Sequence, residues 1–171
     1  MPALHVDGGK VIEVRLEPWE MEFSKYVAQR RDAINRMRPN SREYNDEMLQ
    51  DNAIAETAAC RCELAVAKHL NRYWGGGWWD VEDHRLHADE ADIYPDIEVK
   101  RIRNPNNRMP VKYKYVELGQ TIVLTYIADD SNVVHILGKK HASDAWALGI
   151  QPDWDNSGNL RLMDKEHLEP L

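Results

Sequence analysis

Asp92-Ile93-Tyr94-Pro95-Asp96-Ile97-Glu98-Val99-Lys100-Arg101-Ile102 holds a strand and the turn before it in eleven residues. From Asp96 to Lys100 β-forming residues alternate with charged ones, in a strand expected to run on to Ile102. Ile97 and Val99 therefore face one side of a strand, and Asp96, Glu98 and Lys100 face the other. A bend containing Pro95 folds Asp92 back beside that charged face. The bare triplet Glu98-x-Lys100 means little, because with each charged type at about 6% of residues chance supplies it about once in a chain of this size. Glu13-Val14-Arg15 is a near copy. Context separates the two: carboxylates on adjacent backbone segments form part of an oxygen cage for Mg²⁺. A lysine beside that cage can hold or deprotonate a metal-bound water, or steady charge on a phosphoryl oxygen. The plainer alternative is a surface strand with a solvated polar face.

Upstream, Ala55, Ala58, Ala59, Cys62, Val66, His69, Leu70 and Tyr73 recur at spacings of three and four. They predict a long helix from about Asp51 to Tyr73, capped by Asp51 or Asn52 and ended by Gly75-Gly76-Gly77. On it, Glu63 has Ala59, Cys60, Val66 and Ala67 on its own face, and Glu56 lies on nearly the same face. A carboxylate among small apolar residues needs a partner, since a lone buried charge is costly. A metal ion, Lys100 or a structural arginine such as Arg101 would serve.

Before that helix, Val11 to Leu16 reads as a strand. Pro18 and Glu20 open a helix that runs to Met37 and stops before Pro39, and Asn40 to Asp46 reads as a loop. After it, Trp78 to Val81 and Leu86 suggest a strand, and Asn104 to Asn107 break the strand that ends at Ile102. Thr121 to Ala128 and Val133 to Leu137 form a hairpin through Asp129-Asp130-Ser131-Asn132. Ala142 to Leu148 is a short helix, Gln151 to Asn159 a loop, and Leu160 to Met163 a last strand. The order predicts a mixed α+β (α/β) domain over residues 1–171, with residues 1–48 as an N-terminal strand–helix extension.

The 171 residues carry a net charge of −7 and are 43% hydrophobic, a globular composition. A core of this size buries roughly 70% of the surface of the unfolded chain, enough without disulfides or a structural metal. No run of 18 apolar residues occurs, and Met1 to Lys10 lacks the order of a secretory signal. The expectation is a cytoplasmic protein with no membrane partner. Cys60 and Cys62 point apart on a helix and read as small buried hydrophobes. Charge is uneven: Asp80 to Glu98 is strongly acidic, whereas Val99 to Tyr115 holds Lys100, Arg101, Arg103, Arg108, Lys112 and Lys114 and no acid. Either these are solvated loops, or a cation site adjoins a phosphate track.

Three further features each have two readings. His84-x-x-His87-x-Asp89 suits zinc or a solvated loop. Trp74, Trp78 and Trp79 suit base stacking or core packing. Lys139, Lys140 and His141 suit phosphate or water.

The acid-bearing helix, Asp92, the short turn, Glu98-Val99-Lys100 and the following strands resemble the PD-(D/E)xK nuclease superfamily, and more narrowly small nuclease-like proteins of tailed bacteriophages. Three stretches carry the likeness, which spans about residues 11 to 171. They are Cys62-Glu63-Leu64-Ala65-Val66-Ala67-Lys68 with Tyr73-Trp74, Asp92 to Arg101, and Val134-His135-Ile136-Leu137-Gly138 with the closing Leu168-Glu169-Pro170-Leu171. The resemblance implies a restriction-endonuclease-like core, a long helix packed on a small mixed sheet. It implies Mg²⁺ or Mn²⁺ on Asp92 and Glu98, the Val99 carbonyl as a further oxygen ligand, Lys100 as the water-positioning base, and Glu63 as the helix acid of the ligand set. Pro95-Asp96 lies too close to Glu98 to supply the usual first ligand, so Asp92 fits better and Asp96 is its substitute. Cys62 stands where the phage proteins usually have glycine.

The implied activity is hydrolysis of DNA phosphodiesters to 5′-phosphate products, with Arg101, Arg103, Arg108, Lys112 and Lys114 along the backbone. Phage proteins or a second copy of the chain are possible partners, and the host cytoplasm is the location if a phage encodes it. The alternative is a nucleic-acid-binding or virion-associated protein that keeps the fold without hydrolysis.

Overall fold

The structure, a computed structural model, describes residues 10–37, 46–77, 87, 89–128 and 130–171, with side chains from residue 51 onward in the second of these segments. Most of the expected loop Asn40 to Asp46, the expected strand at Trp78 to Val81 with Leu86, and His84 lie outside the described residues.

Strand β1 (Ile12–Arg15) leads into helix α1 (Pro18–Met37). Pro18 stands in the first turn, where its missing N–H costs nothing, and the Glu17 N–H donates to the Glu20 carboxylate at 2.7 Å. Helix α2 (Asp46–His69) starts and stops earlier than the apolar spacing suggests. Asn71 ends it by adopting a left-handed φ of 52°, which lets the Arg72 N–H close back on the Ala67 carbonyl at 2.9 Å. The three glycines come after the helix has already finished.

Then follow β2 (Ile97–Ile102), β3 (Met109–Lys112), α3 (Tyr113–Glu117), β4 (Thr121–Ile127), β5 (Val133–His141), α4 (Ala142–Leu148) and β6 (Leu160–Met163). The main sheet has the order β1-β5-β4-β2, with β5 antiparallel to both neighbours and β2 parallel to β4. Parallel neighbours need a crossover, and β3 with α3 provides it. Strand β3 pairs with β6 in a separate two-stranded sheet, where Pro110 is tolerated because each strand keeps a free edge.

Each face of the main sheet is covered by its own core. Val99 and Val123 pack with Val27, Ala65 and Val66 under α1 and α2. Ile102, Ile122 and Leu124 pack on the opposite face with Met109, Tyr115 and Met163, under β3, β6, α3 and α4. Full burial of such side chains contributes about 1.5–3 kcal/mol each. The fold is thus mixed α+β, with four helices among the described residues and a mixed sheet of four strands. Strand β1 is the far edge of that sheet and α1 packs against α2, so the first elements belong to the core. Among the described residues, no helix is long and apolar enough to cross a membrane.

Candidate active site

Among the described residues β2 is an edge strand, so every second backbone group on it points away from β4 with no described strand beyond to pair it. The turn through Pro95 fills that edge. Ile93 and Ile97 exchange two backbone hydrogen bonds of 3.0 Å, and the Val99 N–H then donates to Asp92 Oδ2 at 2.8 Å. In an extended strand the carbonyl of a residue points the same way as its N–H, so the Val99 carbonyl shares this edge with Asp92.

Alternation places Glu98 and Lys100 on the Ile102 side of β2, beneath α3. Buried Glu98 is ion-paired with Lys100, and Lys100 Nζ lies 4.9 Å from the centre of the Tyr115 ring. Burial works against charge on Lys100, but Glu98 and Asp92 outweigh it and hold its pKa above the ordinary range. Lys100 therefore keeps its proton at neutral pH, which suits a cation that orients and stabilises better than it suits a resting base. Burial pushes the Tyr115 phenol up to about 12. Asp92 is lifted well above the usual carboxylate range by burial first, then by Glu63 and Glu98, with Lys100 and the Val99 N–H pulling the other way.

Glu63 reaches the same edge from α2, on the other face of the sheet. Its partner is a structural arginine, though not the Arg101 named from sequence: Arg31 of α1 grips it at 2.8 and 2.6 Å through two nitrogens, and Trp74 Nε1 donates to it at 3.0 Å. Arg31 wins because the α1–α2 contact buries it facing Glu63, whereas Arg101 and Lys100 belong to β2. Arg31 Nε also donates to the Gly76 carbonyl at 2.6 Å, and a Cβ on Gly77 (φ 57°) would sit 3.0 Å from its guanidinium. The glycine turn wraps the arginine. Glu56 lies 3.4 Å from Arg31, and burial raises its carboxyl pKa.

Asp96 is drawn 3.8 Å from Arg72, while Asp92 accepts from the Val99 N–H, so of the two it is Asp92 that is fixed on the β2 edge. Among the described residues, no three His, Cys, Asp or Glu side chains form a ready-made metal cage. Asp92 and the Val99 carbonyl share the β2 edge and the charge of Glu98 is felt at Asp92; all three are oxygen donors, the kind that Mg²⁺ and Mn²⁺ take. The mutual repulsion that lifts Asp92 is also what a divalent cation would relieve.

The five basic residues of the expected track divide into two groups. Arg101, Arg103 and Arg108 line a groove of about 430 Å³ at the far end of β2, where Arg108 pairs with Asp164 at 2.6 Å. Lys112 and Lys114 gather near Lys100: burial and then these two neighbouring ammonium groups lower the Lys112 pKa, and Lys114 Nζ lies 5.2 Å from the Tyr115 ring.

Other sequence features resolve simply. Trp74 is core, with a polar tip on Glu63. Cys60 and Cys62 are free and buried, and burial raises both thiols, Cys62 to about 12. Lys140 pairs with Glu169 at 2.6 Å. His87 pairs with Glu90 at 2.5 Å. Arg31 and Tyr115 were missed by sequence reading. Arg31 had a signal, since it shares the helix face of Val27, Ala28 and Ile34, all buried. No protein-family model, curated protein or solved structure matches this chain.

Proposed function

We propose that this chain is a Mg²⁺-dependent DNA phosphodiester hydrolase of the PD-(D/E)xK type, able to use Mn²⁺, of the kind tailed bacteriophages encode and working in the cytoplasm. The supporting observation is Asp92, fixed on the Val99 N–H beside the Glu98–Lys100 pair. A restriction-endonuclease-like core is the matching fold reading, supported by long α2 against a four-stranded mixed sheet. Asp92, Glu98 and the Val99 carbonyl would hold the cation, which supplies Lewis acidity to a water and to a phosphoryl oxygen.

The chain's own groups do the rest. The Val99 N–H orients Asp92. Protonated Lys100 donates to a phosphoryl oxygen as charge builds there, and burial beneath Tyr115 strengthens that interaction. Glu63, held by Arg31 and Trp74, seats α2 against the edge and adds negative potential at Asp92. Lys112, Lys114 and the arginine groove hold flanking phosphates, which position the strand without reading its sequence.

Purified protein is expected to cut DNA only with Mg²⁺ or Mn²⁺, and Glu98→Gln is expected to lower the rate by about a thousandfold. Full activity in that variant overturns the assignment. One observation favours a second reading: Glu98 is closed on Lys100 and Glu63 on Arg31. A nucleic-acid-binding or virion-associated protein retaining this fold binds DNA in a salt-sensitive way and shows no metal-dependent cleavage.

A further inference from the structure

We propose that the nucleic acid bound here is single-stranded at the site, its unpaired bases stacking on Tyr73 and Tyr94, which stand on the two segments that Arg72 ties together at the turn carrying Asp92. The location rests on the hydrolase reading; the test does not. Tyr73 is 86% exposed and Tyr94 is 84% exposed, unusual for residues whose rings normally contribute packing. Neither hangs on a loose segment. Arg72 donates to the Tyr94 carbonyl at 3.4 Å and pairs with Asp96 at 3.8 Å, tying the chain after α2 to the turn that carries Asp92. Two solvent-facing rings thus sit on tied backbone segments beside the carboxylate on the β2 edge. On α1, exposed Phe23 meets buried Trp74 edge-on at 5.7 Å, and Trp74 in turn holds Glu63.

Cations lie on the other face of β2, where Lys112 and Lys114 accompany Lys100. The end of α2 and the edge turn thus offer exposed rings, and the α3 side of β2 offers positive charge. A duplex hides its base faces within the stack and presents mainly phosphate, so rings beside the site gain little from it. A single strand presents both surfaces, and every base has a face to stack. With a net charge of −7 the chain has little general attraction for phosphate, so stacking adds affinity to the local phosphate contacts.

The test is fluorescence anisotropy with labelled oligo-dT, a duplex of equal length and an abasic oligomer of equal length, in EDTA so that nothing is cut. Wild type is expected to bind oligo-dT about tenfold tighter than either competitor. Tyr73→Ser and Tyr94→Ser, both at exposed positions, are each expected to lose about fivefold or more for oligo-dT and nothing for the abasic oligomer, with unchanged melting temperatures. Equal affinity for base-bearing and abasic strands, a preference for the duplex, an unaffected pair of serine variants, or no binding at all overturns the proposal. Cleavage with Mg²⁺ is scored separately. Base-selective binding without cleavage overturns the hydrolase and leaves the stacking site, whereas Glu98-dependent cleavage without base preference overturns the stacking site alone.

Discussion

Glu63 and Glu98 are both buried carboxylates whose charge is felt at Asp92, yet the two sides of the β2 edge hold them differently. On the helical side, Arg31 and Trp74 give Glu63 three N–H donors at 2.6 to 3.0 Å. A planar guanidinium fork fixes both the distance and the plane of a carboxylate. On the α3 side, Glu98 has the ammonium of Lys100, a flexible point charge that also answers to Asp92, and a hydrogen bond with the Tyr115 phenol that Lys100 shares. Saturation marks a carboxylate that holds the fold. A shared, movable partner marks one that can be drawn to a cation.

The contrast is broken most easily through activity. Glu98→Gln and Asp92→Asn are each expected to lower metal-dependent cleavage by about a thousandfold, Asp92→Asn with a melting temperature unchanged or raised and Glu98→Gln with a lowered one, because Lys100 loses its ion-pair partner. If Glu63→Gln has that phenotype and the other two do not, the roles of the two sides are reversed. Stability comes next. Arg31→Met is expected to cost about 3–5 kcal/mol in urea denaturation, because it strands Glu63 in an apolar site. Adding Glu63→Met to it should restore part of that loss, and a double variant as unstable as the single one would refute the fork as the reason.

A smaller effect sharpens the comparison through pH. Asp92 has a folded pKa above its unfolded value of about 3.9, so the folded state binds that proton more tightly. The stability this contributes is present below the unfolded pKa and is lost as pH rises through the folded pKa. In EDTA, wild type should therefore lose stability relative to Asp92→Asn across that window, and Mg²⁺ should restore it most at the alkaline end, where the carboxylate is ionised. Melting curves from acid to mildly alkaline pH, with and without Mg²⁺, check the sign. The smallest change is expected for Arg103→Ala in the distal groove: about 0.7 off the slope of log affinity against log salt on single-stranded DNA, with the Mg²⁺-induced melting shift intact.

Much of this was legible because the signals were local. Strand alternation put Glu98 and Lys100 on one face, the Pro95 turn returned Asp92 to them, and small apolar neighbours marked Glu63 as a carboxylate needing a partner. The hairpin of β4 and β5 and the stop of α1 before Pro39 were equally readable. Strand β3 and helix α3 were not: Pro110 argues against a strand, and a run of lysines and tyrosines has no clear period until β6 pairs with it and Tyr115 is buried. The end of α2 was misplaced because Asn71 took the left-handed turn before the glycines could.

Backbone periodicity and turn chemistry act over a few residues, so sequence alone was sufficient to say which side chains stand together on one strand or one helix. It could not say that β2 lies at the rim of the sheet, that Glu63 and Glu98 approach Asp92 from opposite faces, or that Arg31 rather than a residue of β2 neutralises Glu63. Those depend on which elements pack against which, and such contacts join residues tens of positions apart whose encounter no local pattern encodes.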